Sequence, residues 1–421
     1  MNKTSVAKAL MTVLAGFGIG NAAAEKALPE AWSAWESGDI ARTRELAEQS
    51  LGNPVAVDEA RHLLFLTSFV SGDYEVALSQ YNAIAPAYPS LTELAETVLE
   101  AYLHLVRVAD ALEFARAHDE LPAWTVPVLE RHATKPLRVV LDEVAIVPFA
   151  DHPLTNYFPA FAAEINGQAV TAHVDTGGAF LHMGPERAKV LGIETIKGDL
   201  ATAHLNNTKV EMSYGVADKF VLGDAVLDNV PVAVMSTLSG NSDFIVFGTN
   251  ILERFLSTLD YANRRLILSP RGNETKTAEH LAMLPESQTR IPFYLWGDHF
   301  MFARGSAGTH DELNFFVDSG LVSLHEDSNG TVRQAAFTTS KRKLETWGVE
   351  GKEMSKGFVE LRFPLALGPL KLDDAIAVIG PVGDNNFGGV RIDGLISHGF
   401  LSRYCWTIDF DRREYVFAGA Q

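Results

Sequence analysis

Two short stretches of the 421-residue chain place a carboxyl group at the end of an apolar run and follow it with a small hydroxyl residue and glycine. Ala172-His173-Val174 leads into Asp175-Thr176-Gly177-Gly178, and Asn314-Phe315-Phe316-Val317 leads into Asp318-Ser319-Gly320. Either triplet alone is equally well an Asx-type turn closing a strand. Two together carry a distinct chemistry. Hydrolysis by a bound water needs a base to take its proton and an acid to give one to the carbonyl oxygen. Two carboxyls about 3 Å apart cannot both ionise, so a pair sharing one proton supplies both roles. The titration then belongs to the pair.

The elements that would position these acids are duplicated. Each triplet is followed by a later apolar segment at a second turn: Ile245-Val246-Phe247-Gly248 and Gly394-Leu395-Ile396-Ser397. Residues 247–268 align without gaps on 396–417, an offset of 149. Leu252 then meets Leu401, Arg254 meets Arg403, Thr258 meets Thr407, Asp260 meets Asp409 and Arg264 meets Arg413. The leading segments correspond too, Ile146-Val-Pro-Phe149 with Arg290-Ile-Pro-Phe293. Short runs rich in Val, Phe, Ile and Thr, broken by Gly, Asn, Asp and Pro, read as strands; examples lie at 137–141, 161–165 and 230–234.

These paired motifs resemble the pepsin and retropepsin superfamily of aspartic peptidases over about residues 137–419, and bacterial retropepsin-like proteins through Asp318-Ser-Gly-Leu321 and Ala336-Phe337-Thr338. The resemblance implies an all-β fold of two lobes facing each other across a cleft, with Asp175 and Asp318 as the catalytic dyad. Thr176 and Ser319 would bond across its base, Gly177 and Gly320 would let the backbone approach closely, and Gly248 and Ser397 would support the site from the second turns. It implies no metal and no cofactor, a peptide or protein substrate, and a monomer whose lobes form an intramolecular pseudo-dimer. Ser397 stands where the family prefers glycine, Leu321 where a small residue is commoner, and Gly178 where alanine or serine is. Flaps are expected near 206–214 and 350–358, polar stretches between strands.

Other candidates are weaker. His173 and His182 flank the first triplet, but the thirteen histidines match no metal-ligand spacing, and they read as core or solvated histidines. The loops at 239–242 and 380–384 lack the glycine-then-lysine pattern of a phosphate cradle. Cys405, the one cysteine, sits beside Trp406 in an apolar strand and reads as a small buried hydrophobe.

Upstream, residues 25–121 change character. Alanine, leucine and glutamate dominate, and apolar residues recur three and four apart. Gly38-Asp39 returns as Gly72-Asp73 after 34 residues, and a further step reaches Val106-Arg107; Thr43, Ala77 and Ala111 share a register. The period, with Tyr81 and Pro89, resembles the tetratricopeptide repeat; a plain helical bundle is the alternative. No acid–base cluster appears there, so its expected role is binding a partner or substrate, with its C-terminal end docking on the first lobe near Trp124 and Val126. Residues 122–136 read as a linker, 137–272 as the first lobe and 285–419 as the second.

The N-terminus reads as an address. Lys3 and Lys8, the apolar run 9–19 and Ala22-x-Ala24 follow the order of a cleaved signal peptide at 1–24; a membrane anchor is the alternative, but eleven apolar residues are too few for a span. A periplasmic or secreted bacterial chain is expected, since one cysteine offers no intramolecular disulfide framework. The balance of 35 basic and 53 acidic residues, net −18, argues against nucleic acid and against anionic lipid as partners. A chain 47% hydrophobic and 21% charged can bury a core. The expected protein is an exported aspartic endopeptidase, an all-α helical repeat region followed by a bilobal all-β fold. The alternative is a non-catalytic scaffold whose lobes hold a peptide or envelope component.

Overall fold

The computed structural model describes residues 26–203, 208–240, 243–348, 351–380 and 386–420. The signal-peptide reading, residues 206–207 and 350 of the expected flaps, half of the loop reading at 239–242 and most of that at 380–384 lie outside the described residues.

Seven α-helices open the described chain: α1 Pro29–Ser37, α2 Ile40–Ser50, α3 Val57–Val70, α4 Tyr74–Asn82, α5 Ala95–His104, α6 Val108–Arg116 and α7 Thr125–Thr134. The 34-residue period falls on equivalent positions. Gly38, Gly72 and Val106 all have positive φ, at 76°, 86° and 59°, and each precedes the start of a helix by two residues. Thr43, Ala77 and Ala111 are fully buried, where small side chains let neighbouring helices approach. Asp39 caps α2 by accepting from the Arg42 amide at 3.0 Å.

The segment expected to be a linker is helical. In α7, Leu129 is buried, and with Val126 and Leu121 it packs on Ala111 and Ala115, so an apolar stripe at helical spacing overrides the prolines at its start. A second polar stretch, 269–289, likewise contains a helix, Glu274–Ala282, capped by Asn273.

The rest is β. In the first lobe eight strands follow the order Arg138–Val140, Ala225–Met235, Leu181–Met183, Ile245–Phe247, Gln168–Val174, Ala160–Ile165, Thr208–Leu222, Thr195–Ala203, and Ala225–Met235 also pairs with Thr208–Leu222, which closes the sheet on itself. The second lobe repeats the central part. Gln168–Val174 runs parallel to Ile245–Phe247, and His310–Val317 runs parallel to Gly394–Ile396. On the far side Ile245–Phe247 is flanked by antiparallel Leu181–Met183, and Gly394–Ile396 by antiparallel Phe337–Thr339.

A shared antiparallel sheet joins the lobes: Ala145–Pro148, Arg265–Pro270, Phe255–Asp260, Tyr404–Asp409, Glu414–Ala420 and Gln288–Trp296. Thr258 pairs with Thr407, its own counterpart at the 149-residue offset, and their hydroxyls meet at 2.5 Å. The pseudo-twofold axis of the duplication therefore passes between these two threonines.

The helices share a core with the second lobe, a contact the sequence does not announce. Trp35 and Phe69 join Phe300, Phe316 and Phe387 in one buried cluster. Trp35 Nε1 donates to Gly388 O at 2.8 Å, and Arg304 and Asn314 both donate to Ser37 O at 2.9 Å. The C-terminal helices meet the first lobe as expected, with Trp124 stacked on Tyr214 at 4.2 Å and Arg131 bonded to Glu194. No helix among the described residues is long and apolar enough to cross a membrane.

Candidate active site

Each aspartate leaves its strand at the same point of the parallel pairing. The Asp175 amide donates to Phe247 O at 3.0 Å, and the Asp318 amide donates to Ile396 O at 2.9 Å. The strands are apolar and fully buried at Val174 and Val317, so both carboxyls emerge from the floor of the lobes. Both are buried, Asp175 at 7% exposure and Asp318 at 0%.

The turns interlock. The Thr176 amide donates to Ser319 Oγ at 3.0 Å and the Ser319 amide to Thr176 Oγ1 at 2.9 Å, while Thr176 Oγ1 donates to Val317 O at 3.2 Å. Two atoms of each triplet, the amide and the hydroxyl oxygen of its middle residue, are thus fixed by the other lobe. The Gly177 amide donates to Asp175 Oδ1 at 2.7 Å, and Gly320 and Leu321 donate to Asp318 Oδ1 at 2.9 and 3.1 Å. A β-carbon on Gly177 would collide with the Asp318 carboxyl and one on Gly320 with that of Asp175, so each glycine leaves the space in which the opposite acid sits.

The acids are close enough to hydrogen-bond and to perturb one another. Burial pushes the Asp318 carboxyl well above the usual range, and the neighbouring Asp175 pushes it further. Burial also raises Asp175, but the Gly177 amide, the hydrogen bond to Asp318 and the field of His299 hold it down. Asp318 is the more strongly raised of the two acids, and its Oδ2 is buried with no other donor to serve it. The arrangement sets two carboxyls that can hold a proton between them in a single buried site.

Gly248 and Ser397 close the second turns. The Gly248 amide donates to Phe180 O at 2.7 Å and the Ser397 amide to Ala336 O at 3.0 Å. Ser397 Oγ donates to Ala335 O at 2.7 Å and so points away from the dyad. Leu321 is buried in the core shared with the helices, which explains a large apolar side chain there. The stretches expected as flaps belong to hairpins, Thr195–Ala203 with Thr208–Leu222 and Gly351–Ser355 with Phe358–Leu361.

His173 is a core histidine and His182 is half-buried. His173 is bonded to Phe158 O and His182 accepts from the Ala179 amide, and burial lowers each to about 4. Cys405 is buried, and burial raises its thiol to about 12. Sequence reasoning missed Asp298 and His299, at the turn before strand Phe300–Ala307. His299 is hydrogen-bonded to Asp298 through Nδ1, and its Nε2 is buried without a partner. Burial would raise Asp298, but the charge and hydrogen bond of His299 hold it below its usual range. Nothing in the spacing ties position 299 to position 175; only the duplication, which sets this turn opposite the segment leading into Ala160–Ile165, hints at it.

No curated protein matches the chain. Among solved structures, a retropepsin-like aspartic protease from Rickettsia conorii is similar at 20% identity over 32% of this chain and 93% of its own, with a TM-score of 0.24. An aspartic proteinase from Irpex lacteus is similar at 10% identity over 66% of this chain and 98% of its own, with a TM-score of 0.40. In sequence, residues 161–251 match the aspartyl protease family model, a span that holds both the Asp175 turn and Gly248, and in its β region the chain resembles the retropepsin-like and pepsin-like aspartic proteases.

Proposed function

We propose that this protein is an aspartic endopeptidase. The observation that carries the reading is the pair of buried, mutually perturbed carboxyls of Asp175 and Asp318 on two interlocked turns. Asp175, the less strongly raised acid, takes a proton from a water between the carboxyls as that water attacks the peptide carbonyl carbon. Asp318 gives its proton to the carbonyl oxygen, so a neutral tetrahedral diol forms and no charge accumulates in the buried site. Collapse of the diol breaks the carbon–nitrogen bond. The proton held by Asp175 goes to the leaving nitrogen, and a diol hydroxyl returns one to Asp318. The fixed distance between the two acids supplies the orientation.

The same reading takes the chain as a monomer, with both acids supplied in cis, and as exported, on the strength of residues 1–24. It takes α1–α6 as tetratricopeptide-like repeats that bind a partner or a protein substrate; Val55 and Val76 are apolar and exposed on that region. Charged substitutions there should weaken cleavage of a protein substrate and leave short peptides untouched. The deciding experiment is a peptide-library digest at several pH values with the wild type and Asp175→Asn. Cleavage that the variant lacks supports the peptidase; tight peptide binding with no cleavage by either would make the lobes a binding scaffold.

A further inference from the structure

A cavity of about 290 Å³ lies between the helical region and the first lobe, outside the dyad. Helices α5 and α7 form one wall, and residues 179–180, 214–215 and 231–233 form the other. Its surface is mainly apolar, with Leu99, Leu121 and Val128 among the lining side chains and the ring of Trp124 stacked on Tyr214 at its edge. Ala179 and Phe180 follow directly on the Asp175 turn, and Asp298 contributes from the second lobe, so the cavity adjoins the floor of the cleft.

Its polar groups are unbalanced. Glu100 projects from α5 with no hydrogen bond or ion pair among the described residues, and its Oε1 lies against Gly297. Glu96, one turn earlier, also lines the space. Asn250 is 4% exposed, lines the same cavity, and its Oδ1 is buried with no partner. The nitrogens that could serve these acceptors are engaged. Arg254 donates to Asn250 O and to Glu253, and His104 is bonded to Glu253 and to Gly297 O. His132 is held neutral by burial, its pKa lowered to about 4. Asp298 is held by His299. What remains are the Glu100 carboxyl and Asn250 Oδ1, two acceptors that line an apolar chamber and take no hydrogen bond from a described residue.

We propose that this chamber binds the cationic end of a molecule with a slender apolar body, an ammonium or guanidinium seated on Glu100 and Asn250 Oδ1 with its hydrocarbon stem along the leucines. A charge-assisted hydrogen bond is stronger than a neutral one. The cation could be a lysine or arginine side chain of a peptide in the cleft or a free aliphatic amine. The site stands whether or not the dyad cleaves. Burial, with Asp298 and Glu96 nearby, raises Glu100 well above the usual range, so a bound cation must displace its proton.

The test uses the full chain carrying Asp175→Asn, titrated with hexylamine and with 1-hexanol in two buffers of different ionisation enthalpy. Hexylamine should bind at least about tenfold more tightly and release a proton on binding. Glu100→Gln should erase both the preference and the proton release while hexanol binding persists. Val128→Trp, which fills the chamber, should abolish binding of both. Equal binding of the two probes, no binding of either, or a preference that survives Glu100→Gln would overturn the proposal. Competition then identifies the source: displacement of hexylamine by a lysine peptide but not by its norleucine analogue assigns the site to a substrate side chain, and failure of both peptides to displace it assigns the site to a free amine.

Discussion

The two lobes present their aspartates by the same parallel strand pairing but return from the turn by different routes. Five residues, 176–180, separate Asp175 from strand Leu181–Met183; eighteen, 319–336, separate Asp318 from Phe337–Thr339, and they include a hairpin, Leu324–Glu326 with Val332–Gln334. The short return of the first lobe lays the carbonyls of Gly178 and Ala179 where any β-carbon on residue 248 would go. The longer return of the second lobe leaves room for Ser397 and gives its hydroxyl an acceptor in Ala335. Serine at that turn is therefore a consequence of loop length and not a sign of decay. One of the departures from the family pattern, Ser397, is packed and satisfied.

That contrast can be broken in several ways. The largest effect should come where the lobes are equivalent. Asp175→Asn or Asp318→Asn should each lower kcat for peptide cleavage by about 10³-fold or more, and the double variant should be little worse, because neither carboxyl alone can do both proton transfers. An Asp318→Asn enzyme that kept most of its rate would make the second lobe a support.

Next come the turns where the lobes differ. Gly248→Ser, which copies the second lobe into the first, should cost about 3 kcal/mol or more in urea unfolding because backbone would have to move. Ser397→Gly, the reverse copy, should cost only about 1 kcal/mol for one hydrogen bond and backbone entropy. Equal costs would mean that loop length is not what decides the residue. Between the turns, Ser319→Ala leaves the Thr176 amide buried without its acceptor and should cost about 1–3 kcal/mol.

The smallest effect is electrostatic. The folded-state pKa values of the pair lie above the unfolded value of about 3.9, so the stability they contribute is complete below that pH and is lost as pH rises through the folded values. Asp318→Asn should therefore raise Tm at pH 7 and leave it nearly unchanged near pH 3. Wild-type cleavage should fall once the second proton of the pair is lost. A Tm difference that grew toward acid pH would reverse the assignment.

Much of this was legible in the sequence because duplication and period leave regular marks. The 149-residue offset is readable since strands such as 255–260 and 404–409 must satisfy the same pairing, and the crossed hydroxyls follow from Thr176 and Ser319 occupying one position of a repeated turn. Gly38, Gly72 and Val106 betray the helical period through the left-handed backbone they share. Three features left no such mark. Helix α7 was hidden by prolines and by a stripe too short to stand out. The seating of α1 and α3 on the second lobe depends on contacts such as Trp35 with Gly388, which no local pattern encodes. The amine-sized chamber is assembled from three regions, so Glu100 looks like any helical glutamate until Gly297 is brought beside it and Asn250 into the same cavity.

The bond from Trp35 to Gly388 also sets an order of events during synthesis. Its two ends are 353 residues apart, so at ribosomal rates the first is made roughly 20–70 s before the second. For most of that interval Trp35, Phe65 and Phe69 have helices to sit on but no strand to cover them. The nascent chain carries an open aromatic face through most of its translation, a surface suited to a holding chaperone, and the second lobe closes it. Truncations within the second lobe should therefore leave their mark first at the opposite end of the chain, as aggregation of helices that are themselves intact.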